Sequence, residues 1–190
     1  MRQASLQTVQ HLIDRLDASV KMREVHSVTS HVKTALCDLI RAKDLEIPEP
    51  FVRSTKDHYA RRLLYRNDEL GYTAVVMTWG PGQTTGLHDH AGMWCVEGVV
   101  SGRMNVTRFD LVETVGERFR FARVEEVVAG VGSSGALIPP YEYHVLGNAL
   151  PDETSATLHI YGGEMDHCSI YEPQADGLWV RKQKPLRYDD

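Results

Sequence analysis

The sequence predicts a mainly β fold, a β-barrel or sandwich with a helical N-terminal layer. Apolar residues repeat at helical spacing only in residues 1–46. Two prolines in the segment 47–51 then interrupt this pattern. From Tyr59 onward the sequence changes to short runs rich in β-branched and aromatic residues, separated by turn residues. We therefore expect a single domain, residues 1–190, in which a barrel follows the helical layer.

The helical segment, residues 1–46, contains two amphipathic stretches. Leu12 and Leu16 stand one helical turn apart in the first stretch, and Val32 and Leu36 stand one turn apart in the second. Each stretch has one apolar stripe and one polar face, which is the pattern of a surface helix that packs on a core. The sequence therefore predicts two helices packed against the barrel.

The second part of the chain is a series of strand-length runs separated by Gly, Pro, Asn and Asp. The segments RNDELG and PDET between these runs are typical of hairpin loops. Many short strands with turn signals between them indicate an all-β barrel or sandwich. The predicted strands are RLLYR, YTAVVMTW, GMWCVEGVVSG, RMNVTRFDLV, RFRFARVEEVVAG, GALIPP, EYHVLGN, SATLHIYGG and LWVRKQ.

Charge and composition exclude several classes of partner. The net charge is -5 and the pI is about 6.0, which argues against a nucleic-acid-binding surface. The sequence has no basic leader followed by an apolar run, and no apolar stretch long enough to span a bilayer. Its three cysteines are scattered, which does not suit a disulfide framework. We therefore expect a cytoplasmic protein without nucleic-acid or membrane partners; the oligomeric state stays open, and a monomer is compatible with the sequence.

Three histidines form a predicted metal site. His88 and His90 stand two residues apart in GQTTGLHDHAG, and His144 follows much later in IPPYEYHVLGN. On a strand, residues i and i+2 point the same way, so the first two rings can reach one point while Asp89 points to the opposite side. Three neutral imidazoles would leave positions on a metal open for a substrate, but they do not choose between iron, zinc, nickel and copper. The alternative is that these histidines fall in strands without binding a metal.

The segments around these histidines resemble the two motifs of the cupin superfamily. In the first motif, a glycine precedes HxH at the expected spacing, and Cys95 stands where many cupins place a metal-binding Glu. In the second motif, Pro139, His144 and Asn148 keep the expected spacing, although Tyr141 stands where that motif prefers Gly. The resemblance implies a cupin-type β-barrel, also called a jelly roll.

Within the cupins, a site without an acidic ligand is similar to that of the thiol dioxygenases, and especially of cysteine dioxygenase. The resemblance runs from Tyr59 to Cys168 and includes YARRLL, WGPGQTTGLHDH, HVLGN and LHIYGGEMDHC in that family's order. It implies that His88, His90 and His144 bind Fe(II).

The resemblance also implies roles for residues close to this metal. Thr157, His159 and Tyr161 would share one face of a strand, where a hydrogen-bonded row would orient the Tyr161 phenol. The family usually has Ser at the Thr157 position. Cys95 and Tyr161 match two positions that form a thioether crosslink in the mammalian-type members.

Substrate-binding residues are implied in the same way. Arg61 matches the arginine that grips the substrate carboxylate, for which a planar guanidinium fork is well suited. Tyr59 would share its face and add a phenolic donor. Arg62 is the alternative, because a slip of one residue would exchange the two arginine side chains. Cys168 matches a cysteine near the pocket mouth, and Trp94 is close enough to the first motif to line the pocket.

The cations near the C-terminus are predicted to form a solvated edge, because charged side chains on an exposed strand discourage edge pairing. They are Arg181, Lys182, Lys184 and Arg187.

The resemblance implies an Fe(II)-dependent thiol dioxygenase that converts L-cysteine and O2 to cysteine sulfinic acid. A 3-mercaptopropionate dioxygenase is the alternative enzyme, since it shares this architecture but often has Gln at the Arg61 position. Two further alternatives are a non-catalytic cupin that binds a metal and senses a ligand, and a zinc or manganese isomerase. The implied partners are a small-molecule thiol and O2.

Overall fold

The structure is a computed structural model that describes the backbone of residues 2–190 and the side chains of residues 7–190. Met1, the first residue of the predicted helical segment, lies outside the described residues. Helices form only near the start of the described chain, where the sequence has the helical repeat. They are α1 (Arg2–Val20), α2 (Val25–Arg41) and a short 3₁₀ helix (Glu49–Val52).

The remaining described chain forms eleven strands. Every paired strand runs antiparallel to its neighbours. The strands are β1 (Ala60–Asn67), β2 (Tyr72–Trp79), β3 (Leu87–His88), β4 (Cys95–Ser101), β5 (Arg103–Val115), β6 (Arg118–Gly130), β7 (Ser134–Leu137), β8 (His144–Asn148), β9 (Ser155–Tyr161), β10 (His167–Pro173) and β11 (Trp179–Pro185).

The strands form two sheets. The first has the order β1-β2-β9-β4-β7, and the second has the order β10-β11-β6-β5-β8-β3 and closes because β3 pairs with β10. Neighbours in space are often distant in sequence, since β9 lies between β2 and β4, and β8 lies between β5 and β3. Sheet pairing therefore brings together the segments that carry the histidines.

The first sheet is covered on both faces. On β2, Val75 and Met77 belong to an apolar cluster that includes residues of the second sheet. The alternating residues Ala74 and Val76 belong to a cluster that includes both helices. Because both faces are buried, β2 reads as a continuous apolar run rather than as an alternating pattern.

The predicted fold class is confirmed: the protein is mainly β, and helices at the N-terminal end pack on the first sheet. RNDELG does form the loop of the β1–β2 hairpin. PDET is not a hairpin loop, because it links β8 in the second sheet to β9 in the first. Strand β10 was not predicted, since its run HCSIYEP mixes polar with apolar residues and ends in proline. None of the helices that the structure describes combines the length and apolarity needed to cross a bilayer.

Candidate metal centre

Strand pairing places the three histidine rings at one point between the sheets. His88 ends β3 and pairs directly with His144, the first residue of β8, while His90 follows two residues after His88. The Nε2 atoms of His88 and His144 lie 3.1 Å apart. The ring of His90 has its centroid 5.2 Å from that of His88 and 5.0 Å from that of His144. One nitrogen from each ring lies within 4.8 Å of the other two, so the three could bind one ion.

The protonation of these rings fits a divalent cation. Burial lowers the pKa of all three histidines, and for His90 and His144 the pKa falls well below its usual value. His88 donates from Nδ1 to the Gly86 carbonyl at 3.0 Å, so its Nε2 keeps a free lone pair facing the other rings. Three neutral imidazoles whose nitrogens lie close together match the donor set that an N-ligated metal site requires.

Asp89 lies on the opposite side of the chain, as the alternation of strand residues predicts. Its carboxylate accepts hydrogen bonds from the Ser169 backbone N–H at 2.8 Å and from the Tyr171 hydroxyl at 3.2 Å. Asp89 therefore holds its segment to β10 by hydrogen bonds and does not belong to the histidine set.

A narrow, partly open cavity leads to the three rings. Its walls combine the histidines with an arginine, a lysine, two tyrosines and a cysteine. The lining residues include Tyr59, Arg61, Met77, His88, His90, His144, His159, Tyr161, Met165, Cys168 and Lys184.

Arg61, and not Arg62, faces this cavity. The Arg61 guanidinium donates to the Met165 carbonyl at 3.0 Å and to the Arg187 carbonyl at 3.2 Å. Arg62 points to the other face of β1 and donates to the Arg53 carbonyl at 2.6 Å. The two backbone carbonyls fix the Arg61 fork at the cavity wall, and its remaining N–H groups are the candidate donors for an anionic ligand.

Lys184 is a cavity residue that the sequence analysis missed. It was expected on a solvated edge with the other C-terminal cations, and for Lys184 this expectation is wrong. Its Nζ lies 3.4 Å from the Tyr59 hydroxyl and 5.6 Å from the centre of the Tyr59 ring. The pairing of Lys184 with Cys168 on β10 brings it there. Since β10 was not predicted, no signal in the sequence placed Lys184 at the site.

Thr157 and His159 form the start of the expected row on β9. The Trp79 indole N–H donates to Thr157 Oγ1 at 2.9 Å, and Thr157 Oγ1 lies 2.7 Å from His159 Nε2. Burial lowers the pKa of His159 to about 3, so this ring is neutral. The Tyr161 hydroxyl does not continue the row, because it is directed at Met77 Sδ, 4.0 Å away, while its ring stacks on His159.

Cys95 and Tyr161 are direct neighbours across two strands. They pair in the ladder between β4 and β9, and both side chains belong to the cluster between the sheets. Burial raises the pKa of both groups, which keeps the thiol and the phenol protonated. Cys168 also lines the cavity, and burial raises the pKa of its thiol to about 11.

Trp94 lies outside the cavity, contrary to the expectation that it lines the pocket. It packs with the helix-facing cluster and lies so close to Gly162 that a Cβ there would be 2.2 Å from the indole nitrogen. The physical reason is alternation: Cys95 points between the sheets, so the residue before it points to the other face.

Glu97 is a second residue that the sequence analysis missed. It lies on β4 between Cys95 and Val99, both of which face the interior, and it is buried. Its carboxyl lies 3.7 Å from His144 Nδ1 and 3.5 Å from His159 Nδ1. Burial raises its pKa to about 8. The only sequence signal was an acidic residue inside the apolar run CVEGVV.

Comparison with known proteins gives one family match and several structural ones. A family model described as cysteine dioxygenase type I matches residues 7–174. A Thermus thermophilus protein is 16% identical with a TM-score of 0.47, and the alignment covers 62% of this chain and 94% of that one. A Klebsiella pneumoniae protein with a double-stranded β-helix domain is 18% identical, with a TM-score of 0.46 and coverage of 60% and 79%. The cupin domain of Schizosaccharomyces pombe Cnp3 is 11% identical, with a TM-score of 0.46 and coverage of 63% and 69%.

Proposed function

The chain belongs to the cysteine dioxygenase type I family of the cupin superfamily, and on that premise we propose that it converts L-cysteine and O2 to cysteine sulfinic acid with Fe(II). The reaction adds both oxygen atoms to the thiol sulfur and needs no further reductant. The observation that carries the proposal is the convergence of three neutral histidines, two of them buried, on a cavity that also holds a fixed arginine.

His88, His90 and His144 are the residues that would hold the metal. Because none of the three brings a negative charge, the charge of the ion stays available to an anionic substrate thiolate. When bound, Fe(II) supplies a Lewis acid that lowers the thiol pKa and the redox chemistry that O2 requires. The protein supplies position, since the cavity holds a thiol close to the three rings.

Arg61, Tyr59 and Lys184 would bind the substrate carboxylate. The Arg61 fork is held by two carbonyls, so little side-chain entropy is lost when a carboxylate binds to it. Lys184 adds a second cation, and Tyr59 contacts this cation through its hydroxyl and ring. A small thiol with a carboxylate fits this set better than one without.

The β9 residues and the cysteines would shape the thiol end of the cavity. We propose that Thr157 and His159 hold that wall, that Tyr161 lines it beside the substrate, and that Cys168 lines the entrance. Cys95 would form a thioether with Tyr161, with loss of two hydrogens to O2 as oxidant. Their direct pairing across β4 and β9 supports this link.

A second substrate, 3-mercaptopropionate, is favoured by one observation. Among the described residues that line the cavity there is no carboxyl group to receive the ammonium of cysteine. Arg61 and Lys184 would serve the carboxylate of either thiol. A preference for cysteine over 3-mercaptopropionate would therefore require the cysteine amine to bind to something other than a carboxyl group of the cavity wall.

The test is a product assay on Fe(II)-loaded protein. Cysteine, 3-mercaptopropionate and cysteamine are supplied at equal concentration, with O2 uptake and sulfinate mass both recorded. We expect cysteine sulfinic acid as the main product and little turnover of cysteamine, which lacks the carboxylate. Main turnover of 3-mercaptopropionate would assign that substrate instead. No uptake with any of the three would favour a ligand-sensing cupin, and stoichiometric zinc or manganese after unsupplemented purification would favour an isomerase.

We also propose that residues 1–190 form one cupin domain in the cytoplasm. Cys37, Cys95 and Cys168 are all free thiols, as expected of a protein in a reducing compartment.

A further inference from the structure

The buried carboxyl of Glu97 stands between a predicted metal ligand and the Thr157–His159 pair. Glu97 pairs directly with His159 across β4 and β9, and its side chain faces the interior beside Cys95. Oε1 lies 3.7 Å from His144 Nδ1, and Oε2 lies 3.5 Å from His159 Nδ1. Neither Oε2 nor His144 Nδ1 has a hydrogen-bond partner among the described residues. A buried carboxyl is costly unless its oxygens accept hydrogen bonds.

The tautomer of His144 follows from the geometry of the histidine set. Its Nε2 faces His88 Nε2 at 3.1 Å, on the side where the three rings converge. A ring that gives its Nε2 lone pair to a metal carries its proton on Nδ1. That N–H points toward Glu97 Oε1, the acceptor that faces it.

The tautomer of His159 follows from a separate chain of hydrogen bonds. The indole N–H of Trp79 is only a donor, so Thr157 Oγ1 accepts from it. The Thr157 hydroxyl hydrogen has no other acceptor among the described residues and goes to His159 Nε2. His159 therefore carries its proton on Nδ1, and this N–H points at Glu97 Oε2.

We propose that Glu97 is a positioning residue for the metal centre: as a carboxylate, the form that the charge of a bound divalent cation would favour, it accepts the Nδ1–H groups of His144 and His159 with its two oxygens and locks both rings. The inference rests on the metal-binding role proposed above for His144. A carboxyl that accepts the second N–H of a metal-bound histidine fixes the ring and raises its basicity as a ligand. Here the same carboxyl also links that ligand to the Trp79–Thr157–His159 chain.

The first measurement is metal affinity, by anaerobic titration with Co(II) followed by its visible absorption. Glu97→Gln keeps one acceptor oxygen but turns an amide N–H₂ toward the second ring, and Glu97→Leu removes both acceptors. We expect the Kd for Co(II) to rise by roughly 10- to 100-fold in Glu97→Gln, and further in Glu97→Leu. Ser134→Ala is the matched control. Ser134 lies on β7 and pairs in the ladder with Gly98, the residue after Glu97 on β4. Its hydroxyl, like Glu97 Oε2, is buried without a hydrogen-bond partner.

The second measurement reads the rings without a metal. In histidine-labelled protein, ¹⁵N NMR should report the Nδ1–H tautomer of His159 in the parent, and a mixture of tautomers in Glu97→Leu. A cavity of about 460 Å³ reaches Glu97 from the side of Lys33 and Arg108, so added formate can enter the space left in Glu97→Ala. Formate should restore Co(II) affinity to that variant and leave the parent unchanged.

The outcomes separate this inference from the proposed function. If the parent itself binds no stoichiometric metal, the metal role of the histidines fails. If the parent binds Co(II) and Glu97→Gln binds it equally well, with the His159 tautomer unaltered in Glu97→Leu, only the role of Glu97 is overturned. Should Glu97→Leu not fold, Glu97→Gln and the formate arm still decide the question.

Discussion

Strand β9 has two buried faces that carry different chemistry. Leu158 and Ile160 point toward the helices and pack with apolar residues of α1 and α2. Thr157, His159 and Tyr161 alternate with them and point between the two sheets, next to the predicted metal ligands. The helix-facing side depends on shape and volume, whereas every polar atom on the inner side needs a specific partner.

The comparison teaches where function and stability can be changed separately. A smaller apolar side chain on the helix-facing side leaves a void but no unpaired polar group. A change on the inner side removes a ligand, a donor or an acceptor from a buried set. Variants on the two faces should therefore fail in different assays.

The largest expected effect is that of His144→Ala, on the inner side. A site with three protein ligands has no spare donor, so the variant should lose stoichiometric Fe(II) and all dioxygenase activity. Its β-sheet content should persist, since the change leaves the helix-facing cluster intact. Iron analysis after gel filtration and far-UV circular dichroism measure the two quantities. Retention of one iron per chain would remove His144 from the ligand set.

Leu158→Ala tests the opposite face of the same strand. Leu158 is fully buried in the helix-facing cluster, and its truncation should cost about 2–5 kcal/mol in the free energy of unfolding. The residual folded protein should bind Fe(II) with the affinity of the parent. Urea denaturation of metal-free protein gives the first value, and metal titration gives the second. A large loss of metal affinity would show that the two faces are not separable.

Arg61→Ala tests the substrate end of the inner side. The loss in kcat/KM for cysteine should correspond to about 2–5 kcal/mol, as for truncation of one partner in a buried charge pair. Arg61→Gln should lose less, and Lys184→Met, which removes a half-buried cation, about 1 kcal/mol or less. Steady-state O2 uptake with cysteine and with cysteamine provides the comparison, because cysteamine has no carboxylate to lose.

Arg62→Ala is the control for this series, since Arg62 points away from the cavity. Equal losses for cysteine and cysteamine in Arg61→Ala would indicate general damage through the Met165 and Arg187 carbonyls. A larger effect from Arg62→Ala would reassign the carboxylate to the other arginine.

The last expected effect is a dependence of stability on pH to which the histidines of the inner side contribute. Burial lowers the pKa of His90, His144 and His159, the last to about 3, below the usual value of 6.5. The unfolded chain therefore binds more protons than the folded one below pH 6.5, and stability falls with acidification by up to about 1.4 kcal/mol per pH unit for each ring. Glu97 acts in the opposite sense between pH 4.5 and about 8, because its pKa is raised.

Urea denaturation of metal-free protein at several pH values below neutrality measures this slope. With His88 added to these three histidines, four rings with a lowered pKa oppose two carboxyls with a raised pKa, Glu97 and Glu142, so the free energy of unfolding should fall as the pH falls below 6.5. Leu158→Ala should show the same slope at a lower stability, because the substitution removes no titrating group. A flat profile in the parent would contradict the burial of the three neutral rings.

Local patterns in the sequence predicted a large part of the fold and of the candidate site. The spacing of His88 and His90 and that of Tyr59 and Arg61 are local, so they are readable from neighbouring residues, although β3 ends at His88 and β1 begins at Ala60. Cys95 points between the sheets, so Trp94, the residue before it, points to the other face and lies outside the cavity. The expectation that Trp94 lines the pocket was wrong because it rested on closeness in sequence alone.

The missed residues depend on pairing between distant segments. Lys184 reaches the cavity only because β11 pairs with β10, which has no clear strand pattern of its own. Glu97 meets His144 and His159 only because β4 lies beside β9 and opposite β8. Which strands become neighbours is decided by the packing of whole sheets, and a single sequence carries little information about it.

The pairing of Cys95 with Tyr161 has a consequence for the lifetime of the protein. A thioether at this position would close a covalent loop through residues 95–161 and reduce the conformational entropy of the unfolded chain, by about 4 kcal/mol in a chain-entropy treatment of crosslinks. A newly made molecule would then be stabilised by non-covalent contacts alone, and a molecule that has turned over would be stabilised by the thioether as well. The Tm of a preparation would record how much of it has already turned over.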